Sequence, residues 1–297
     1  MSARGLEPEF DPRLVEAAVL VAVARRGRDG EFHAERDALY RIAEPEPREA
    51  GFAALHARWF ERLALDRPFG EALAERPAIA ARCRRWLVAR ARGTRDEAAD
   101  LLVAPSAPPT LLVRVTAETV ATAERLTLLL RRELLHVADM LDPRFGYAPS
   151  LPEGLAGGAR ESVVRGNYRV LWDAYVDGRL ARRGAVPPAA RAERLLEFGR
   201  AFPHLGAGTA AAFERFFGAR ELTHAELLAF AAGGPAGAPL PRCRLCELPT
   251  RDFAPAPEAL AVEVLAAIAR DFPSWRPADG LCGRCAELYA SRVAACS

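Results

Sequence analysis

Residues 104–115 read APSAPPTLLVRV, and they set the fold class of the chain. Three prolines at 105, 108 and 109 interrupt a helical pattern, because proline lacks a backbone N–H and clashes with the preceding turn of a helix. Residues 111–115 then form a short run of leucine and valine that is typical of a β-strand. We therefore expect a mainly α-helical fold with a small β component, an α+β protein rather than a plain helical bundle.

Helices are expected on both sides of this strand. Before it, apolar residues at helical spacing predict helices at 11–26, 34–43, 47–65, 70–91 and 94–102. After it, Thr116 is the expected N-cap of a long helix at 117–142, which should end there because Pro143 disfavours helical geometry in the residue before it. Thr223 and Glu226 form a capping-box pattern at the start of a later helix.

The composition indicates a folded protein. Of the 297 residues, 51% are hydrophobic, which is enough for a sizeable core. The 41 basic and 39 acidic residues leave a net charge of +2, and this balance gives no signal for nucleic-acid binding. The N-terminus lacks the pattern of a signal peptide and no apolar run is long enough to span a bilayer, so we expect a cytoplasmic protein. The absence of lysine excludes nucleotide hydrolysis of the P-loop type.

Residues 233–239, GGPAGAP, form the clearest linker in the sequence. Glycine and proline at this density are typical of a boundary between domains. The sequence thus predicts a mostly helical domain at 1–232 and a small separate module at 240–297.

The module carries two Cys-x-x-Cys pairs, Cys243 with Cys246 and Cys282 with Cys285. In a reducing compartment two such pairs are the usual way to present four thiolates to one zinc ion. The 35 residues between the pairs contain a predicted helix, and the second pair leads directly into another. This order resembles a treble-clef or zinc-ribbon module with an insertion. We expect structural zinc as the cofactor, with free or redox-active thiols and an iron–sulfur cluster as the alternatives.

Charged and aromatic residues accompany the cysteines. Four thiolates and one divalent ion leave two excess negative charges, which nearby guanidinium groups would offset. The arginines beside the cysteines are Arg242, Arg244, Arg251 and Arg284. The aromatic residues, which lie among apolar helix positions and are expected to form a small core, are Phe253, Phe272, Trp275 and Tyr289.

The helix expected at 117–142 contains the sequence RELLH at residues 132–136. Only Arg132 separates this stretch from the H-E-x-x-H pattern, in which two histidines face the same way from one helix and bind zinc. A strand precedes the helix, and a later predicted helix offers Asp173 and Asp177. In this order of parts, residues 110–182 resemble the core of a zincin-type metallopeptidase.

The resemblance implies roles for individual residues. Glu133 would be the general base on a zinc-bound water, and His136 would be a zinc ligand. Asp173 or Asp177 would complete this second metal site. However, the guanidinium of Arg132 stays protonated and binds no zinc, so the site lacks its first ligand. The resemblance is therefore to a degenerate zincin, a pseudoenzyme that we do not expect to be an active peptidase.

Other interpretations of this helix stay open. His136 fits a buried histidine of an ordinary core helix, satisfied by Asp139 or by a backbone group. An active hydrolase would need a substitute ligand, for which His56 is the first candidate. Paired E-x-x-H motifs also bind two irons in ferritin-like bundles, and Glu221 and His224 supply a second such motif, although Glu221 is expected to precede its helix.

The sequence therefore favours a degenerate metallopeptidase-like protein that acts by binding a protein or an extended peptide, with strand 111–115 as the surface. The alternatives are a helical adaptor with a structural zinc module and an active zinc hydrolase. No feature of the sequence indicates a nucleic-acid or membrane partner.

Overall fold

The computed structural model describes residues 6–104, 107–155, 158–233, 241–250 and 252–295. Over these residues the chain is mainly α-helical with one four-stranded sheet, as the sequence predicted. It divides into two compact units, Met1–Asp142 and Pro143–Ser297. Among the helices described, none combines the length and the apolar character that a membrane span requires.

The first unit begins with a capped helix and contains all four strands of the sheet. Asp11 accepts a hydrogen bond from the backbone N–H of Arg13 at 2.9 Å, and Pro12 is the first helical residue, as the sequence pattern predicts. The elements of this unit are β1 (Pro8–Phe10), α1 (Pro12–Arg25), α2 (Asp29–Leu39), α3 (Pro45–Arg62), α4 (Arg67–Ala74), α5 (Pro77–Arg82), β2 (Arg85–Arg90), β3 (Ala98–Ala104), β4 (Ala107–Val115), α6 (Ala117–Val120) and α7 (Ala123–Leu141).

The sheet has the strand order β1-β2-β4-β3. The pairs β1–β2 and β2–β4 are parallel, whereas β3 runs antiparallel to β4. Because β2 and β3 flank β4 on both sides, the strand that the sequence identified is an interior strand, and its backbone offers no edge to an extended peptide. The expected docking of a peptide along 111–115 is therefore wrong. The two edges of the sheet are β1 and β3.

The core of the first unit lies between the sheet and the helices. In β4, Leu111 and Val113 are fully buried, and they lie in register with Trp86 and Val88 of β2. These side chains pack with apolar residues of the helices in one cluster, among them Leu14, Trp59, Phe69, Leu130 and Leu134. Burial on this scale is the main stabilising contribution to the unit.

Two of the helices predicted for this unit are wrong. Residues 70–91 contain most of α4, all of α5, and then strand β2, and residues 94–102 contain a 3-10 turn and most of β3. In β2, Trp86 and Val88 are buried, which is the two-residue period of a strand. Pairing with β4 outweighs the helical propensity of the alanine and arginine residues of β2.

The predicted helix at 117–142 is interrupted once. The side chain of Thr116 accepts a hydrogen bond from the backbone N–H of Thr119 at 3.3 Å and caps α6, as expected. Ala121 and Thr122 then separate α6 from α7. The end of α7 follows the prediction, because Asp142 has an extended backbone (ψ 115°) immediately before Pro143.

The second unit is built from helices. They are α8 (Gly158–Ala181), α9 (Ala190–Ala201), α10 (Thr209–Phe217), α11 (His224–Ala231), α12 (Val262–Asp271) and α13 (Gly283–Ala294). The predicted capping box opens α11, where Glu226 accepts a hydrogen bond from the N–H of Thr223 at 2.8 Å and donates its own N–H to the Thr223 hydroxyl at 3.2 Å. Between α9, α10 and α11, aromatic rings pack edge-on and tilted; they belong to Phe198, Phe202, Phe213, Phe216 and Phe230.

A close backbone contact joins α8 to the end of α10. A Cβ atom at Gly178 would overlap the backbone carbonyl of Phe217, so only glycine allows this approach. Arg182, the residue after the end of α8, donates a hydrogen bond to the same carbonyl at 3.0 Å. The two helices are thus held at one fixed spacing.

The cysteine-containing residues belong to the same compact unit as α8–α11. The structure places its unit boundary at Asp142/Pro143, whereas the sequence placed a domain boundary in the linker 233–239. Residues 234–239 of that linker lie outside the described residues. The grouping of 240–297 with the preceding helices follows from packing, because α13 lies against α8.

Candidate metal centre

The first cysteine pair lies in a tight loop that closes on itself. The N–H of Cys243 donates to the carbonyl of Leu248 at 3.0 Å, and the N–H of Glu247 donates to the carbonyl of Cys243 at 2.8 Å. Glu247 has a positive φ of 57°, which turns the chain sharply after Cys246. The N–H of Leu245 points at the sulfur of Cys243 at 3.4 Å. This geometry is typical of a metal-binding Cys-x-x-Cys loop.

The second pair lies at the start of α13. Cys282 is the N-cap, and its sulfur accepts a hydrogen bond from the N–H of Cys285 at 3.4 Å. Asp252 and Phe253 pair with this segment, since the N–H of Gly283 donates to the carbonyl of Asp252 at 3.0 Å. A helix N-terminus favours negative charge, so the position suits a thiolate.

The two pairs meet in one buried cluster. All four sulfurs lie within 4.8 Å of one another, and the side chains are between 0% and 6% exposed. The sulfur of Cys243 is 3.8 Å from that of Cys285, and the sulfur of Cys246 is 3.9 Å from that of Cys282. None of the four forms a disulfide. Four thiolates arranged about 2.3 Å from a central ion have tetrahedral edges of about 3.8 Å, so the cluster has the size of a single-ion site.

The sulfurs of the cluster perturb one another strongly. Hydrogen bonds with the other three cysteines lower the pKa of the Cys243 thiol, whereas contact with Cys243 raises the pKa of the Cys285 thiol. The opposite directions reflect protons shared within one group of sulfurs, because four adjacent thiolates repel one another. A bound cation removes that repulsion, which is the chemical reason why such a cluster binds metal.

The charge of Arg284 interacts with the sulfurs of the cluster. Its side chain is mostly buried, and burial lowers its pKa, while the charges of Cys282, Cys285 and Cys246 act in the opposite direction. Its guanidinium donates a hydrogen bond to the side-chain oxygen of Asn167 on α8. Arg284 therefore offsets thiolate charge and also attaches the second pair to α8.

The other predicted arginines have different positions. Arg242 donates to the carbonyl of Glu247 at 2.7 Å and so closes the first loop. Arg244 is exposed, and Arg251 lies outside the described residues. Among the arginines that the structure describes here, Arg284 is thus the one whose charge interacts with the sulfurs. Its hydrogen-bond partner Asn167 lies 117 residues away in the sequence, so no local pattern indicated this contact.

The aromatic residues of this region form part of its core. Trp275 and Tyr289 are buried, whereas Phe253 and Phe272 are partly buried. The hydroxyl of Tyr289 donates to Asp271 at 2.6 Å, and the indole N–H of Trp275 donates to the carbonyl of Gly280 at 3.1 Å. Each buried polar atom of these two rings therefore has a partner.

The residues of the second predicted metal site fall in different units. Glu133 and His136 belong to α7 of the first unit, and Asp173 and Asp177 to α8 of the second. The carboxylate of Glu133 accepts a hydrogen bond from the backbone N–H of Ala99, in β3, at 2.9 Å. His136 is buried, with 9% of its surface exposed.

The two aspartates hold an arginine of their own unit. Arg194 donates to Asp177 at 2.7 Å and lies 3.5 Å from Asp173. Burial disfavours the charge of Arg194, but these two carboxylates outweigh that effect and raise its pKa. Within the described residues, the four cysteines are the one group of three or more His, Cys, Asp or Glu side chains that could hold a metal ion. A metal site at His136, Asp173 and Asp177 stays a prediction.

The ferritin-like alternative depends on whether Glu221 and His224 lie on one helix. Glu221 precedes α11, which begins at His224, as the sequence indicated. His224 is buried, and its Nδ1 shares a hydrogen bond with the Tyr168 hydroxyl at 2.7 Å. The geometry of a second helical E-x-x-H motif is therefore absent at these residues.

Comparison with protein-family models, with curated proteins and with solved structures gives no significant match for this chain.

Proposed function

We propose that this chain is a zinc protein in which Cys243, Cys246, Cys282 and Cys285 hold a structural zinc ion, and that it acts by binding a protein or a peptide. The sulfur–sulfur distances of 3.8 and 3.9 Å carry the metal assignment, because they match the edges of a zinc–thiolate tetrahedron. Four protein ligands leave no open position for water or substrate, so the ion is structural rather than catalytic. A cluster of several irons would hold the sulfurs farther apart.

Metal content per chain tests this assignment. On protein purified without chelator, elemental analysis should give one zinc per chain, and a Cys243→Ser/Cys246→Ser variant should give none. Cys83→Ser is the matched control, since Cys83 is also buried but lies in the first unit, and it should keep one zinc. Iron in place of zinc would contradict the assignment. A metal that survives in the double variant would place an ion elsewhere, with Glu133 and His136 the first residues to check.

The first unit contains the start of the degenerate metallopeptidase-like core that we propose for residues 110–182. The order of the elements supports this assignment. Strand β4 leads through α6 into α7, and the antiparallel edge strand β3 contacts α7. Arg132 stands at the position of the missing first ligand. Glu133 is bonded to the edge strand through the N–H of Ala99, which gives this carboxylate a structural partner. We therefore propose binding, and not hydrolysis, as the activity of this unit.

Strand β3 is the surface that we propose for a peptide partner. It is an edge strand, and near its end the side chains of Leu102 and Val103 are 48% and 77% exposed. An extended peptide that adds to such an edge gains main-chain hydrogen bonds and apolar contacts.

A display library of short unstructured peptides tests this surface. Peptides enriched on the parent protein should lose binding to Val103→Arg and keep it with Leu196→Arg, because Leu196 is 63% exposed but lies on α9. Equal loss in both variants, or in neither, would remove β3 as the binding surface. It would then favour the helical adaptor, in which the cysteine region or another face makes the contact.

An active zinc hydrolase is the third possibility. It requires chelator-sensitive cleavage of a fluorogenic peptide mixture that Glu133→Gln abolishes. His56, the substitute ligand that the sequence suggested, belongs to no group of three or more potential ligands in the described parts of the chain. We therefore expect no cleavage above the background of the metal-free protein.

A further inference from the structure

A large cavity lies in the first unit, away from the cysteines. It has a volume of about 970 Å³ and is bounded by β1, α1, α2, α3 and the start of α4. Cavities of roughly 300–1,000 Å³ take small organic ligands. Since none of the cavity residues belongs to the second unit, the cavity is independent of the metal centre.

The walls of the cavity supply an apolar surface. The rings of Phe10 and Phe60 pack at 5.0 Å, and the rings of Tyr40 and Phe52 pack at 5.1 Å. Tyr40 is 56% exposed although it is a large aromatic side chain. This lining suits a ligand with an aromatic or aliphatic body.

His56 lines the same cavity, and one nitrogen of its ring is buried. The side chain is 7% exposed and stacks on Phe32 at 5.9 Å. Its Nε2 atom is buried and has no hydrogen-bond partner among the residues that the structure describes. Burial lowers the pKa of His56, Glu16 raises it and Arg36 lowers it, with a net decrease, so the imidazole is neutral at pH 7. A neutral imidazole with Nδ1 protonated presents a lone pair at Nε2, which accepts a hydrogen bond.

The charges around the cavity are mainly negative. Five carboxylates line it, and none of them forms an ion pair with another described residue; they are Glu7, Glu16, Glu49, Glu61 and Asp66. Three guanidinium groups also line it, those of Arg13, Arg36 and Arg67. Arg67 pairs with Glu71, which is not a cavity residue, so the carboxylates of the lining outnumber its guanidinium groups by five to three. An apolar cavity with unpaired carboxylates at its rim is complementary to a cation with an apolar body.

We propose that this cavity binds a small organic ammonium ion, with the apolar body against Phe10, Phe52 and Phe60 and the ammonium group between His56 Nε2 and the Glu16 carboxylate. The ammonium donates one N–H to the imidazole, which satisfies the buried Nε2. The carboxylate of Glu16 balances the positive charge. The ligand class is thus a primary amine that carries an aromatic or branched aliphatic group.

Three probes of the same shape and different charge test the proposal. Phenethylammonium, 2-phenylethanol and 3-phenylpropanoate are titrated into the full zinc-loaded chain by calorimetry at pH 7.5. Phenethylammonium should bind, the neutral alcohol roughly tenfold more weakly because it lacks the charge, and the anion not measurably. Equal binding of the alcohol, or stronger binding of the anion, would overturn the assignment of a cation site. No binding of any probe at millimolar concentration would overturn the cavity as a ligand site.

Two variants assign the binding to the named residues. Glu16→Gln and His56→Phe should each weaken phenethylammonium binding, by roughly three- to tenfold for the exposed carboxylate. Glu124→Gln is the matched control, because it removes the same negative charge from a position on α7 that lies outside the cavity. Glu16 is exposed, so its variant keeps the proposal testable if His56→Phe fails to fold. If Glu16→Gln and Glu124→Gln lose the same affinity for phenethylammonium, the effect comes from the net charge of the protein, and the proposed site is overturned.

Discussion

Arg284 donates a hydrogen bond to the side-chain oxygen of Asn167, and the amide group of Asn167 donates in turn to the backbone carbonyl of Ala231 at 3.2 Å. Arg284 stands in the sequence between the cysteines Cys282 and Cys285. This chain of hydrogen bonds therefore connects the candidate metal centre to α8 and α11 within the second unit. Asn167 is 5% exposed, so it has little access to water as a substitute partner.

The variant Arg284→Met should destabilise the second unit by about 1–3 kcal/mol, because it leaves the buried oxygen of Asn167 without its donor. The exposed Arg244→Met, which removes the same charge near the cysteines, should stay within about 0.5 kcal/mol of the parent. Urea denaturation measures the unfolding free energy of both variants, and hydrogen exchange of the α8 amides shows whether the loss lies in the second unit. Equal stabilities of the two variants would show that the bond to Asn167 contributes nothing.

Removal of the metal should unfold the region around the cysteines and leave the first unit intact. The second pair caps α13, and the first pair is closed by a loop of few residues, so neither has a large apolar core of its own. Hydrogen exchange after treatment with a strong zinc chelator should show loss of protection in α12 and α13 and unchanged protection in α7. Protection that persists in α13 would mean that packing holds the helix without the metal.

Glu133 should prove structural in a pair of variants. Glu133→Gln keeps an oxygen that accepts from the N–H of Ala99 and should be close to the parent in stability. Glu133→Ala removes the acceptor and should cost about 1–3 kcal/mol of unfolding free energy, since the N–H is part-buried. Thermal denaturation of the two variants decides. A large loss in Glu133→Gln would show that the carboxylate charge itself is needed.

Gly178→Ala should be among the most damaging small substitutions in the chain. The new Cβ would overlap the backbone carbonyl of Phe217, which cannot move without displacing α10, so we expect a loss of about 2–3 kcal/mol. Gly30→Ala is the control. It also lies in a helix but has no atom within 4 Å of the added Cβ, and it should be neutral or stabilising by up to about 1 kcal/mol. Urea midpoints compare the two.

The second unit should lose stability in mild acid through His224. Burial lowers the pKa of His224 below the 6.5 of an exposed imidazole, so the unfolded chain takes up the proton first as the pH falls. The contribution of neutral His224 is therefore complete above about pH 6.5 and decreases from there down to the folded-state pKa. Hydrogen exchange in α11, corrected for the intrinsic pH dependence, should show this decrease between pH 7.5 and 5.5. A His224→Gln variant should show a smaller decrease; an equal one would assign the effect to another group.

Local patterns in the sequence were sufficient for much of the fold. The capping residues Asp11, Thr116 and Thr223 start helices as predicted, because a cap depends on a few neighbouring residues. The strand at 111–115 was found because three prolines isolate it from the preceding pattern. By contrast, β2 and β3 were assigned to helices. Their short runs are rich in alanine, leucine and arginine, which favour a helix locally, and pairing within the sheet makes them strands.

The same distinction holds for the sites. The meeting of the two Cys-x-x-Cys pairs could be predicted from the sequence, because each pair is shaped by its own short loop and both pairs bind one ion. The roles of Asp173 and Asp177 depend instead on Arg194, which lies on another helix, and their acidic character in the sequence gave no sign of it. His56 and Glu16 come from different helices, so the cavity between them has no signature in the order of residues.

The hydrogen bond from Ala99 to Glu133 also bears on solubility. An edge strand with exposed apolar side chains is a template on which a second molecule can extend the sheet, and β3 ends in Leu102 and Val103. Because Glu133 occupies one outward-facing N–H and places a negative charge beside it, the length of β3 open to self-assembly is reduced to its last few residues. Glu133 thus leaves less of the β3 edge available for edge-to-edge association of the first unit.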